Sequence, residues 1–259
     1  SLRYGVRRRG VEITLQCDQH DAIDGYFSEL SERLTQAMHA AGMPLCNGYV
    51  MAVNPLWRKT ARQWRAQMDY WLAQRNGSAL RLADIFFDFR GVAGERRLAA
   101  QLRDYITDRL HNDRGFLREM YLQDEGFGVA LGLFNRFIVE KNDKAHRGEL
   151  NLKITGTLPL VDAIRALALL HGVSETGTLV RIANLHALKV LDNDEADYLS
   201  GAYHHITNLL LRQQMADQRQ GKEISYYVHP DSLTDREDDM LVDALKAIRD
   251  LRERIRSDL

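Results

Sequence analysis

Cysteine is scarce in this chain: Cys17 and Cys46 are the only two, and they form no C-x-x-C or similar spacing. That excludes a thiolate metal site, and both read as small core residues in a reducing compartment. No run of about 18 apolar residues occurs and no charged-then-apolar leader precedes the first predicted strand, so a soluble cytoplasmic protein without a membrane span is expected. Charge of one sign is lacking too. A net charge of −1 and a pI near 6.7 give no global field for specific or bulk nucleic-acid binding; only Arg7 to Gly10, "RRRG", is locally basic. What is present is ordinary globular material, 45% hydrophobic and 27% charged over 259 residues, enough for one large or two modest domains. The chain opens at Ser1 only a few residues before that strand, and an upstream region is expected.

Along the chain, Phe27, Leu30, Leu34, Ala37, Met38 and Ala41 recur at helical spacing and stop at Gly42. "CNGYVMAVNP" reads as a strand between Asn47-Gly48 and Asn54-Pro55. Trp57, Ala61, Trp64, Met68 and Trp71 then mark one helix face, and an aromatic stripe at that spacing is a core stripe. "LADIFFDFRGVAG" is ambiguous between buried strand and helix.

From Glu95 onward the pattern is helical almost throughout. Successive helices are expected around Leu98 to Ile106, Leu133 to Ile138, Leu160 to Ala168, Leu179 to Leu185 and Tyr198 to Leu210. A last helix opens on the capping box Thr234 to Glu237. Pro44, Pro55 and Pro230 fall between helices, and Pro159 suits a first turn. The long connection Lys141 to Pro159 alternates at Leu150, Leu152 and Ile154, which predicts an extended segment with Lys153 on its other side. The shift from mixed to all-helical composition sets two domains, 1–112 and 113–259.

The stretch "VEITLQCDQHDAID" carries the chemistry. Val11, Ile13, Leu15 and Cys17 alternate with polar residues, so Asp18 falls at a strand end with position 20 on the same face. A second carboxylate there would build a metal site; the residue is His20, with Asp21 next to it. Imidazole suits Mg²⁺ less well than carboxylate does, and Asp21 could substitute if a bulge turned it to that face. Asp88 in "FFDFR" is either a further carboxylate ligand or the ion-pair partner of Arg90. "RRRG", with Arg9, reads equally as a phosphate grip or as solvated surface. His204 and His205 point to different helix faces and do not make a metal pair. No P-loop and no Ser-His-Asp or Cys-His arrangement can be argued from spacing.

Taken in order, "TLQCDQHDAI", "MPLCNGYVMAVNPLW", "IFFDFRGVAG", "LNLKITGTLPLVDAIRALALLHGV" and "LLLRQQMADQRQGK" resemble a bacterial nucleotidyltransferase-like family over nearly the whole chain. That family is itself similar to the transferase part of the PII-protein uridylyltransferases. The resemblance implies an α+β fold, a DNA polymerase beta-like nucleotidyltransferase domain followed by a helical substrate-binding bundle. It also implies a nucleoside triphosphate as substrate, Mg²⁺ or Mn²⁺ as cofactor, a PII-like acceptor, and upstream cyclic-nucleotide-binding and CBS domains. Glu12, Thr14, Asp18 and Gln19 match its first motif, whose Gly-Ser turn is not legible here and whose second Asp falls on His20. Lys153, Asp162 and Arg165 match its helical-domain string. Asp162 and Arg165, three apart, are helix neighbours that form either a salt bridge or a substrate contact. The expectation is nucleotidyl transfer in signalling, with a noncatalytic nucleotide-sensing or docking module as the alternative and a homodimer compatible with either.

Overall fold

The structure, a computed structural model, describes residues 17–123 and 128–259, with side chains from residue 22 onward. Among these residues the chain is mostly helical, with nine α-helices and one two-stranded sheet. It divides into two compact units, Ser1–Gln74 with Phe89–Ile106, and Arg75–Asp88 with Thr107–Leu259.

In the first unit α1 covers Cys17–Ala40 and α2 covers Ala61–Gln74. Trp57, in a 3-10 turn at Pro55–Trp57, meets Trp64 and Trp71 of α2 with ring centroids 6.2 to 6.5 Å apart, all three buried. The helical spacing of 64, 68 and 71 places them on one side of α2, where Met68 is also fully buried. The expected strand over 46–55 is a loop instead. Asn54 donates to the Tyr49 carbonyl at 3.2 Å and caps the Leu56 N–H at 3.0 Å, while Arg58 Nη1 donates to the carbonyls of Ala52 and Val53 at 2.8 and 3.1 Å. Side chains thus satisfy carbonyls that a strand would have offered to a neighbour. Tyr49 takes φ 54°, and Cys46 is exposed rather than a core residue.

The second unit holds α3 (Gly77–Phe86), the end of α4 (Arg96–His111), α5 (Arg114–Gln123), α6 (Leu158–Leu170), α7 (Thr178–Ala187), α8 (Asn193–Arg219) and α9 (Asp235–Asp258). The start of the ambiguous apolar run, through Phe86, lies in α3 and the rest is turn and loop; the helix is capped at its start by Asn76 accepting from the Ala79 N–H. α6 is buried at most positions and packs on α5, α7 and α9, which is why its sequence is apolar nearly all round. The extended segment expected over 150–154 is confined to β1, Leu150–Asn151, which pairs antiparallel with β2, Tyr227–Val228. A π-helical turn, Lys153–Thr157, then feeds directly into α6. Gly156 within it lies against Ile206 of α8, where an added Cβ would come within 3.3 Å of two side-chain carbons. The helix expected over 133–138 is instead a chain reversal. Phe134 (φ 55°) and Asn135 (φ 59°) turn the backbone, and Ile138 N–H donates to the Ala130 carbonyl. Leu133 and Phe134 are accordingly exposed.

The capping box forms as the sequence reads: Thr234 caps the Glu237 N–H and Glu237 returns to Thr234 N–H at 2.9 Å. That N–H and the Arg212 guanidinium pull the Glu237 carboxyl down from its usual 4.5 to about 2. The depressed folded value means that the stabilisation is in place above pH about 4.5 and is lost as pH falls toward about 2. Urea midpoints measured from pH 6 down to 2 (about that span) should therefore fall less steeply for Glu237→Gln than for the native chain; parallel curves would refute the assignment.

Candidate functional site

The residues singled out by sequence fall in three places. Arg9, Glu12 and Thr14 lie outside the described residues, as does the predicted strand over 11–16. Cys17, Asp18, Gln19, His20 and Asp21 open α1, so the end of the expected strand is helical. This changes which groups share a face. Positions two apart on a helix diverge by about 200°, whereas positions three apart are neighbours. Positions 18 and 21 are therefore one turn apart on the helix, whereas positions 18 and 20 are not.

Asp88, Asp162 and Arg165 come together within the second unit, where α3, α6 and α7 meet. Asp88 follows the C-terminus of α3 and does not pair with Arg90 as one reading proposed. Its Oδ1 takes Nη2 of Arg181 at 2.6 Å, and its Oδ2 takes Arg181 Nη1 at 3.3 Å and Arg165 Nη1 at 3.4 Å. Arg165 also reaches Asp162 at 2.8 Å, one turn along α6, and Asp84 on α3. Arg181 is fully buried and turns its Nε to the Glu175 carbonyl at 2.7 Å. Two buried guanidinium groups are thus answered by three carboxylates. With both oxygens engaged by cations, Asp88 has little charge left to offer a metal ion. The cluster fastens three helices and contains no free base or nucleophile.

Arg181 and Asp84 were not picked out from sequence. Asp84 sits four residues before Asp88, and Arg181 shares the buried face of α7 with Thr178, Ile182 and Leu185; a charge on a buried helix face was the available signal. Lys153, by contrast, is exposed, with its ammonium 4.1 Å from the centroid of the Tyr226 ring. It sits at the start of the π-helical turn, a local widening frequent at functional sites. Among the described residues no group of three or more His, Cys, Asp or Glu side chains could hold a metal ion, and no helix is long and apolar enough to cross a membrane.

Two family models match the chain in tandem. Residues 12–78 match the family described as "Putative nucleotidyltransferase DUF294", and residues 114–259 match the "Putative nucleotidyltransferase substrate binding domain". The second match alone spans more than half of the chain, and the chain belongs to this nucleotidyltransferase family. A search of curated proteins and one of solved structures each found no match.

Proposed function

We propose that this protein performs metal-dependent nucleotidyl transfer. An acceptor hydroxyl attacks the α-phosphorus of a nucleoside triphosphate, the bond to the bridging oxygen breaks, pyrophosphate leaves, and the hydroxyl proton passes to base or solvent. The tandem family match, transferase segment followed by substrate-binding segment, carries this reading. Asp18 and Asp21, positions one turn apart at the start of α1, are the proposed holders of Mg²⁺ or Mn²⁺, which when bound would neutralise triphosphate charge. His20, between them in sequence, is proposed to flank the site. Arg9, Glu12, Thr14 and Gln19 are the proposed nucleotide contacts. A DNA polymerase beta-like arrangement of the first domain, a PII-like protein or small-molecule acceptor, and upstream cyclic-nucleotide-binding and CBS domains belong to the same proposal. In the helical domain Lys153, exposed beside Tyr226, is the proposed acceptor contact, and Asp162 with Arg165 is proposed to have a structural part.

Calorimetry with ATP, UTP, CTP and GTP, in Mg²⁺, in Mn²⁺ and in chelator, tests the reading. Metal-dependent binding of one nucleotide is expected, weakened by about tenfold or more in Asp18→Ala. Absence of binding by the folded chain would instead favour the noncatalytic docking module.

A further inference from the structure

Between Gly128 and Thr157 the sequence sets five cations, Arg136, Lys141, Lys144, Arg147 and Lys153, among three carboxylates, Glu140, Asp143 and Glu149. Backbone hydrogen bonds draw this stretch of the second unit together. A hairpin turns at Leu133 to Arg136, its arms joined by Gly132 N–H to the Arg136 carbonyl at 2.8 Å and Ile138 N–H to the Ala130 carbonyl at 3.1 Å. Its root is tied to the π-helical turn, Ala130 N–H donating to the Thr155 carbonyl at 3.2 Å. A loop follows, closed at its neck where Glu140 N–H donates to the Glu149 carbonyl and Gly148 N–H to the Glu140 carbonyl, and it passes into β1 and then Lys153.

The hairpin tip is apolar and held out. Leu133 is 83% exposed and Phe134 92%. Phe134 and Asn135 both take left-handed φ, and Arg136 N–H closes on the Leu133 carbonyl at 3.3 Å, the arrangement of a type I′ turn. Such a turn favours asparagine, aspartate or glycine at its first central position, because a Cβ is crowded there. An exposed phenyl ring gains no burial that would offset the strain. The fold of this chain therefore does not account for Phe134.

Charge in the loop is sorted in the same sense. Glu140 Oε1 accepts the N–H groups of Asn142, Asp143 and Lys141 at 2.7, 3.2 and 2.8 Å, which hold its carboxyl below the usual range. Asp143 accepts the Ala145 N–H at 2.9 Å, and Glu149 meets His146 Nδ1 at 2.7 Å, with the imidazole stacked on Tyr227. Each carboxylate is thus engaged within its own loop. Arg136, Lys141, Lys144, Arg147 and Lys153 are all exposed, and among the described residues none of them pairs with a carboxylate. Lys153 lies over the Tyr226 ring instead.

We propose that this surface docks an acidic protein segment with interspersed apolar or aromatic side chains. Leu133 and Phe134 form the apolar anchor, and the five cations supply complementary charge around it. The balance of charge selects that class of partner. Three carboxylates among five cations leave a modest excess, which suits a mixed protein face; a nucleic-acid backbone or an anionic lipid layer presents dense charge of one sign. The inference rests on the transferase reading only in calling the segment part of the acceptor. No group on this surface reacts.

The test titrates the full chain with a fluorescent random copolymer of glutamate and tyrosine, and separately with oligouridylate and with vesicles of phosphatidylserine and phosphatidylcholine. The copolymer is expected to bind, more weakly as salt rises. Leu133→Ser combined with Phe134→Asn should weaken it by about tenfold while Tm stays level or rises, because asparagine tolerates the left-handed turn. Lys141→Gln, Lys144→Gln and Arg147→Gln together should weaken it as much and flatten its salt dependence. Arg81→Gln, Arg96→Gln and Arg118→Gln together, exposed cations on α3, α4 and α5, should not. Equal losses in the two triple variants, full binding by the Leu133 and Phe134 variant, or no binding by the native chain overturns the inference. A lowered Tm in that double variant would give the tip to the fold and overturn its part as anchor. Tighter binding of oligouridylate or of the vesicles than of the copolymer overturns the choice of partner. Nucleotide bound with Mg²⁺ while the copolymer is ignored would sink this surface and leave the transferase reading standing. Copolymer bound through these residues, with no nucleotide bound under any condition, would do the reverse.

Discussion

Asp88→Ala is expected to cost about 3 to 5 kcal/mol of folding stability, the penalty for leaving a buried charge without its partner. In a chain of this size that is a fall of roughly 6 to 20 °C in Tm. Arg181 is the reason. It is fully buried, Asp88 is its carboxylate partner, and the Glu175 carbonyl is its other acceptor. Arg165 is better provided, touching Asp84 and Asp162 as well as Asp88. Asp162→Asn should therefore destabilise much less than Asp88→Ala, because Arg165 keeps two carboxylates. The double replacement Asp88→Leu with Arg181→Met should recover most of the loss, since an apolar pair of similar volume carries no desolvation cost. Thermal and urea melts of the four chains check the order. An Asp88→Ala variant melting with the native chain would mean that water or rearranged side chains answer Arg181, and that the cluster is not what holds α3 against α6 and α7.

The same cluster shows what the sequence made legible. Asp162 and Arg165 are three residues apart on a helix whose period was plain, so their pairing could be read locally. Arg181 stands 93 residues from Asp88, and no local pattern links them. Long helices with caps, α8 and α9 above all, were legible because period and stop signals agree. The failures share a different cause. At 46–55 and 133–138 the apolar residues have the right spacing, but side-chain caps in one and two left-handed residues in the other take the backbone out of register. Short apolar runs specify burial more firmly than they specify backbone shape.

Trp64→Ala is expected to cost about 3 to 5 kcal/mol, at the upper end for a single truncation, because the ring is nearly fully buried and the hole cannot close between two other indoles. Hydrogen exchange across α2 should accelerate, and near-ultraviolet circular dichroism from the coupled rings should collapse. Trp64→Phe keeps most of the volume and should cost much less. A Trp64→Ala variant that melted with the native chain would mean that the tryptophan cluster is not the core of the first unit. A large loss in Trp64→Ala beside a small one in Trp64→Phe would show that ring volume at this position closes the core.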